Sequence, residues 1–99
     1  MKDKVLGKKT LNWCTYILLC KDGTLYTGIT NDLEKRFQAH LDGTGAKYTR
    51  AHGVKKIVYT KLHSSRSTAS IHEAQIKKLS RKEKVLLLNV RPNYLLKNI

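Results

Sequence analysis

Trp13 to Cys20 (WCTYILLC) and Leu25 to Thr30 (LYTGIT) are runs of apolar, aromatic and β-branched side chains, and both predict strands. Lys21-Asp22-Gly23 lies between them, followed by Thr24. A three-residue loop with glycine last predicts a type I turn closed through a left-handed glycine. Such a loop sets a register: Cys20 opposite Thr24, Leu18 opposite Tyr26, and Tyr16 opposite Gly28. Residues directly opposite share a face. Thr15, Ile17, Leu19, Leu25, Thr27 and Ile29 then form a mostly apolar face for helices to cover. The other face carries Tyr16 and Tyr26 as diagonal neighbours, with Gly28 expected to leave a shallow pocket beside Tyr16. A slip of one residue separates the two tyrosines.

At Asn31 the period becomes helical. Asn31 is the expected cap, with Glu34 at the third helical position. Leu33, Phe37 and Leu41 follow as one stripe, with Arg36 and His40 on a neighbouring one. Asp42-Gly43-Thr44-Gly45 ends this helix. Residues 46–55 read as a basic loop holding Lys47, Tyr48, Arg50 and His52, and Lys56 to His63 reads as a third strand. After a loop and cap at Ser64–Ser67, a helix carrying Glu73 is expected over Thr68–Leu79. Ser80 and Glu83 form a second capping box, opening a short helix through Val85–Leu88 that ends before Pro92. The pattern predicts an α+β fold: a small, mainly antiparallel three-stranded sheet flanked by helices. Residues 1–11 are expected to be a flexible basic arm and 12–99 a single domain.

Charge sharpens the picture. The 99 residues hold 20 Lys+Arg against 7 Asp+Glu, a formal net charge of +13. Residues 1–43 carry 7 basic and 5 acidic side chains, and residues 44–99 carry 13 and 2. Such self-repulsion points to a polyanionic partner. Glu73 and Glu83 are the only acids of the second part, so each is expected to pair with neighbouring cations or to bind a metal ion. No run approaches the ~18 apolar residues of a membrane span. Met1-Lys2-Asp3-Lys4 lacks a signal peptide's apolar stretch, so a cytoplasmic protein is expected. Cys14 and Cys20 lie roughly 20 Å apart along one strand, too far for a disulfide. No CxxC or HExxH spacing is present, which argues against zinc.

Tyr16, then Tyr26-Thr27-Gly28, then Arg36-x-x-x-His40, then Glu73 occur in this order on strand, strand, helix and helix. The arrangement resembles the GIY-YIG endonuclease superfamily over about residues 12–88, and within it a small stand-alone bacterial group with segments like Gly45-Ala46-Lys47-Tyr48-Thr49-Arg50 and Lys78-Leu79-Ser80-Arg81. Cys14 and Thr15 stand where the first motif has Gly and Ile, and Thr27 stands where the second has Ile. Asn89 and Asn93 are both candidates for the family's late asparagine.

The resemblance implies a metal-dependent DNA endonuclease using Mg²⁺ (or Mn²⁺), selective for structure or ends rather than sequence, with a role in DNA repair or recombination. It implies that Glu73 holds the metal ion and Arg36 donates to the scissile phosphate, which a planar guanidinium matches in two places. Tyr26 is the first choice for general base or water-positioning group, and Tyr16 for its hydrogen-bonding partner. His40 is a rival base, because its unperturbed pKa suits the task. Lys47, Tyr48 and Arg50, with Lys77, Lys78 and Arg81, are candidate DNA contacts, tracking phosphates with some stacking. The DNA would be branched, nicked or single-stranded, and a protein partner is a candidate source of targeting. Two other readings stay open. One is a nucleic-acid-binding module with a weak or silent nuclease site that acts through a partner. The other is an RNA- or ribosome-associated protein.

Overall fold

The computed structural model describes residues 11–89. Apart from Leu11, the expected N-terminal arm lies outside them, as do Pro92 and Asn93. The elements are β1 (Trp13–Cys20), β2 (Leu25–Thr30), α1 (Leu33–Leu41), α2 (Lys47–His52), β3 (Val54–His63), α3 (Arg66–Lys77) and α4 (Arg81–Asn89). The fold is α+β, with β1 central in an antiparallel sheet of order β2-β1-β3.

The hairpin register is the expected one: Leu18 pairs with Tyr26 and Tyr16 with Gly28. Its turn closes through Gly23 at φ 87°, whose N–H donates to the Cys20 carbonyl at 3.0 Å. Between β1 and β3 the register shifts after Ile17, which pairs with Tyr59, whereas Leu18 pairs with Ile57. Such a bulge turns consecutive residues toward one side, and Val58 and Tyr59 both enter the cluster around Ile17 and Ile76.

Each face has its own core. Cys14, Tyr16, Leu18 and Val54 are covered by Leu33 and Phe37 of α1. Ile17, Val58 and Tyr59 pack with Ile76 of α3 and with Leu87 and Leu88 of α4. The Thr15 hydroxyl fastens β1 to α3 by donating to the Ala69 carbonyl at 2.9 Å. Both cysteines are buried and free, and burial pushes both thiols above their ordinary pKa.

Several boundaries move. Asp32, not Asn31, caps α1, its carboxylate accepting from Lys35 N at 3.1 Å. Leu41 is 46% exposed, so the buried stripe of α1 ends at Phe37. The helix stops in a Schellman motif, with Gly43 (φ 79°) bonding to the His40 carbonyl and Thr44 N to the Ala39 carbonyl. Residues 47–52, expected as loop, form the short helix α2. Ser65 caps α3 by accepting from Thr68 N, so the helix starts two residues early. The Ser80/Glu83 box forms reciprocally, at 2.8 and 3.1 Å. Among the described residues, no helix is long and apolar enough to cross a membrane.

Candidate active site

β1 brings Tyr16 to the middle of the sheet, where it is 1% exposed. Its ring leans across the pleat over Gly28 of β2. A Cβ at Gly28 would lie 2.5 Å from Tyr16 Oη and 2.7 Å from Cζ. The pocket expected beside Gly28 is therefore filled by the Tyr16 ring itself. The missing side chain serves to seat the phenol.

α1 carries His40 to this ring. His40 is 2% exposed, and its Nε2 lies 2.8 Å from Tyr16 Oη. Tyr26 is half-buried, 5.3 Å from the His40 ring and 6.4 Å from the Tyr16 ring, centroid to centroid. Arg36, one turn before His40, lines a small cleft with Thr30, Asn31, Asp32 and Lys35. Burial pushes the Tyr16 phenol up to about 12, against the pull of the Arg36 hydrogen bond, and Tyr26 and Glu73 add to the rise. Burial also holds His40 below its ordinary 6.5, helped by the Arg36 charge, so its ring is neutral near pH 7.

α3 packs on β2 and β1 and carries Glu73. The Glu73 charge is the least of the influences that raise the Tyr16 phenol. One carboxylate oxygen, Oε2, lies 3.1 Å from Lys77 Nζ, a pairing with a neighbouring cation one turn along α3. No group of three or more His, Cys, Asp or Glu able to hold a metal ion occurs among the described residues. A lone, partly exposed carboxylate fits a cation that keeps most of its water and shares phosphate oxygens, as Mg²⁺ does.

α2 closes the other side. Tyr48 stacks between Tyr26 (5.8 Å) and His52 (4.0 Å), centroid to centroid. His52 in turn pairs with the Asp22 carboxylate in the hairpin turn, and Asp22 falls to about 2 chiefly for that reason. The Lys21 N–H also donates to the Gly53 carbonyl at 3.2 Å. Buried Thr49 places its Oγ1 2.8 Å from His40 Nδ1. A Cβ on Gly45 would fall 2.6 Å from the same nitrogen.

Tyr16, Tyr26, Arg36 and His40 are thus one cluster, with Glu73 within electrostatic reach. Lys47 and Arg50 are exposed on α2, and Tyr48 is 38% exposed. Lys77, Lys78 and Arg81 are exposed along the α3–α4 connection. Of the late asparagines, Asn89 ends α4 and Asn93 lies outside the described residues. His72 bonds Tyr59 Oη at 2.8 Å, and the His63 ring lies 5.2 Å from the His72 ring, a group apart from the tyrosine cluster. Sequence reasoning missed Thr49, Gly45 and Asp22 as parts of the site. Their contacts exist only once α2 folds, and α2 has no apolar stripe to announce it.

The GIY-YIG catalytic domain model matches residues 12–85. A UPF0213 protein of Xanthomonas axonopodis pv. citri is 48% identical over 80 residues, covering 81% of this chain and 78% of that one. A UPF0213 protein of Clostridium perfringens is 51% identical over 74 residues, covering 75% and 80%. The solution NMR structure of a UPF0213 protein from Bacillus halodurans superposes with a TM-score of 0.57 at 38% identity, over 88% of this chain and 95% of that one.

Proposed function

The chain belongs to the GIY-YIG catalytic-domain family, and from that premise we propose that it is a metal-dependent DNA endonuclease in which Tyr16 and His40 move the proton of the attacking water. The hydrogen bond from Tyr16 Oη to His40 Nε2 carries this reading. A phenol with a pKa of about 12 is not a phenolate near neutrality. It acts by relay: Oη takes the water's proton while its own passes to the neutral imidazole. His40 has both ring nitrogens engaged, Nε2 with Tyr16 Oη and Nδ1 with Thr49 Oγ1, so the imidazole has no free atom to meet the water directly. The base role expected first for Tyr26 therefore passes to the Tyr16–His40 pair, and the half-buried Tyr26 orients the water.

Arg36 neutralises charge developing on the phosphate, and beside Tyr16 it favours the ionised phenol. Glu73 would hold the Mg²⁺ ion, which when bound supplies Lewis acidity at the phosphate and the leaving oxygen. The exposed cations of α2 and of the α3–α4 connection track the DNA backbone. With these cations acting as phosphate contacts, which carry no sequence information, selectivity is for shape or ends. Repair or recombination in the cytoplasm is the setting this chemistry suits.

The test is a comparison of Tyr16→Phe with Tyr26→Phe. Removing the relay hydroxyl should lower cleavage by about 10²–10⁴-fold, the usual weight of a general base. Tyr26→Phe should cost less. The reverse order returns the base to Tyr26.

A further inference from the structure

We propose that Thr49 is a positioning residue that locks His40 as its Nδ1–H tautomer, so that Nε2 is held open for the Tyr16 proton. The proposal deepens the nuclease reading and rests on it for its effect on rate, though not for the tautomer itself. It follows from counting hydrogens. The Thr49 hydroxyl donates to the Ala46 carbonyl at 2.9 Å, the usual bond of a helical threonine to the carbonyl one turn back, which commits its single hydrogen. Thr49 Oγ1 then offers only lone pairs to His40 Nδ1 at 2.8 Å, and Nδ1 must carry the hydrogen. A neutral imidazole has one N–H. Nε2 is therefore bare, and at 2.8 Å the Tyr16 phenol donates to it.

The chain of donors runs one way, from Tyr16 through His40 and Thr49 to Ala46. All three side chains are 1–2% exposed, which leaves little room for solvent to satisfy the opposite arrangement. The other tautomer would set Nδ1 lone pair to lone pair against Thr49 and two hydrogens against each other at Tyr16, unless both hydroxyls turned away from their partners. Gly45 holds the ring in place, because only a residue without Cβ fits beside Nδ1. Ala46 is itself fixed as the N-cap of α2, its carbonyl also accepting from Arg50 N at 3.1 Å. The proton-accepting atom of the site is thus chosen from outside it, by a helix fastened to the hairpin turn through His52 and Asp22.

The test is the imidazole nitrogen shifts of ¹⁵N-labelled full-length protein near pH 7, beside Thr49→Val and Thr49→Ser. Wild type should show a protonated Nδ1 and a bare Nε2 at His40. Thr49→Val keeps the side-chain shape but offers Nδ1 no acceptor, and should populate the Nε2–H form. Thr49→Ser should restore the wild-type pattern. In cleavage, Thr49→Val should lower kcat by about 10²-fold with KM unchanged, and Thr49→Ser should recover it. A protonated Nε2 in wild type overturns the proposal, as does an unshifted tautomer in Thr49→Val or a flipped tautomer with unaltered kcat. Should Thr49→Val not fold, the wild-type and Thr49→Ser spectra still decide. The expected shifts in a protein that cuts nothing support the tautomer lock and count against the nuclease reading alone.

Discussion

Gly28→Ala perturbs the site at one calculable point. The new Cβ would lie 2.5 Å from Tyr16 Oη and 2.7 Å from Cζ, when ordinary contact begins at 3.4 Å. The phenol must retreat by close to 1 Å. Its 2.8 Å bond to His40 Nε2 is the contact that such a shift disturbs. Tyr16 is packed among Cys14, Leu18 and Val54, so the ring has little space to enter. Overpacking of this kind costs about 1–3 kcal/mol. For a domain of this size that lowers Tm by roughly 5–20 °C. Gly23→Ala is the control: its φ of 87° also penalises a side chain, but nothing lies within 4 Å of its Cβ. Thermal melts followed by circular dichroism give both stabilities, and the His40 ring signals report the bond. Gly28→Ala should melt lower and disturb the Tyr16–His40 contact, whereas Gly23→Ala should melt lower and keep it. A Gly28→Ala protein with wild-type Tm and unchanged His40 signals would refute the seating of Tyr16 over Gly28.

Two further predictions concern solution conditions. His40 accepts only when neutral and its pKa is held below 6.5, so cleavage should lose activity on an acid limb lying below pH 6.5. Tyr16 at about 12 should add no limb between pH 7 and 10 in the free protein. An acid limb above pH 6.5 contradicts the burial of His40. Duplex binding should weaken steeply with salt, by a slope of about −4 to −5 in log K against log salt if Lys47, Arg50, Lys77, Lys78 and Arg81 each meet a phosphate. Replacing Lys47 and Arg50 together by alanine should flatten it by about 2, and an unchanged slope removes α2 from the interface.

What the sequence could reveal followed from strong local signals. The hairpin register was legible because a short glycine loop and a period-2 pattern both specify it. The placing of Arg36 beside His40 was legible because they are one turn apart on a capped helix. Helix edges blurred where two good caps stand together, as at Asn31 and Asp32. There the decision fell to the Asp32 carboxylate reaching Lys35 N. α2 was illegible for a different reason. Its six residues have no hydrophobic stripe, and its buried residue is a threonine satisfied by a histidine nine positions earlier. The filled space over Gly28 was equally out of reach, since register gives the face a side chain takes but not its lean across the pleat.

Tyr16, His40, Arg36 and Glu73 are proposed to form one metal-assisted cleavage site. This is tested most directly by incubating purified protein with duplex, single-stranded, nicked and branched DNA, with Mg²⁺ or with EDTA, beside Glu73→Ala. The lost pairing with Lys77 is worth only a few tenths of a kcal/mol, so the variant should fold and bind DNA. Cleavage that needs Mg²⁺ and vanishes in Glu73→Ala is the predicted result. Undiminished cutting by the variant, or binding to every substrate with no cutting at all, would contradict it.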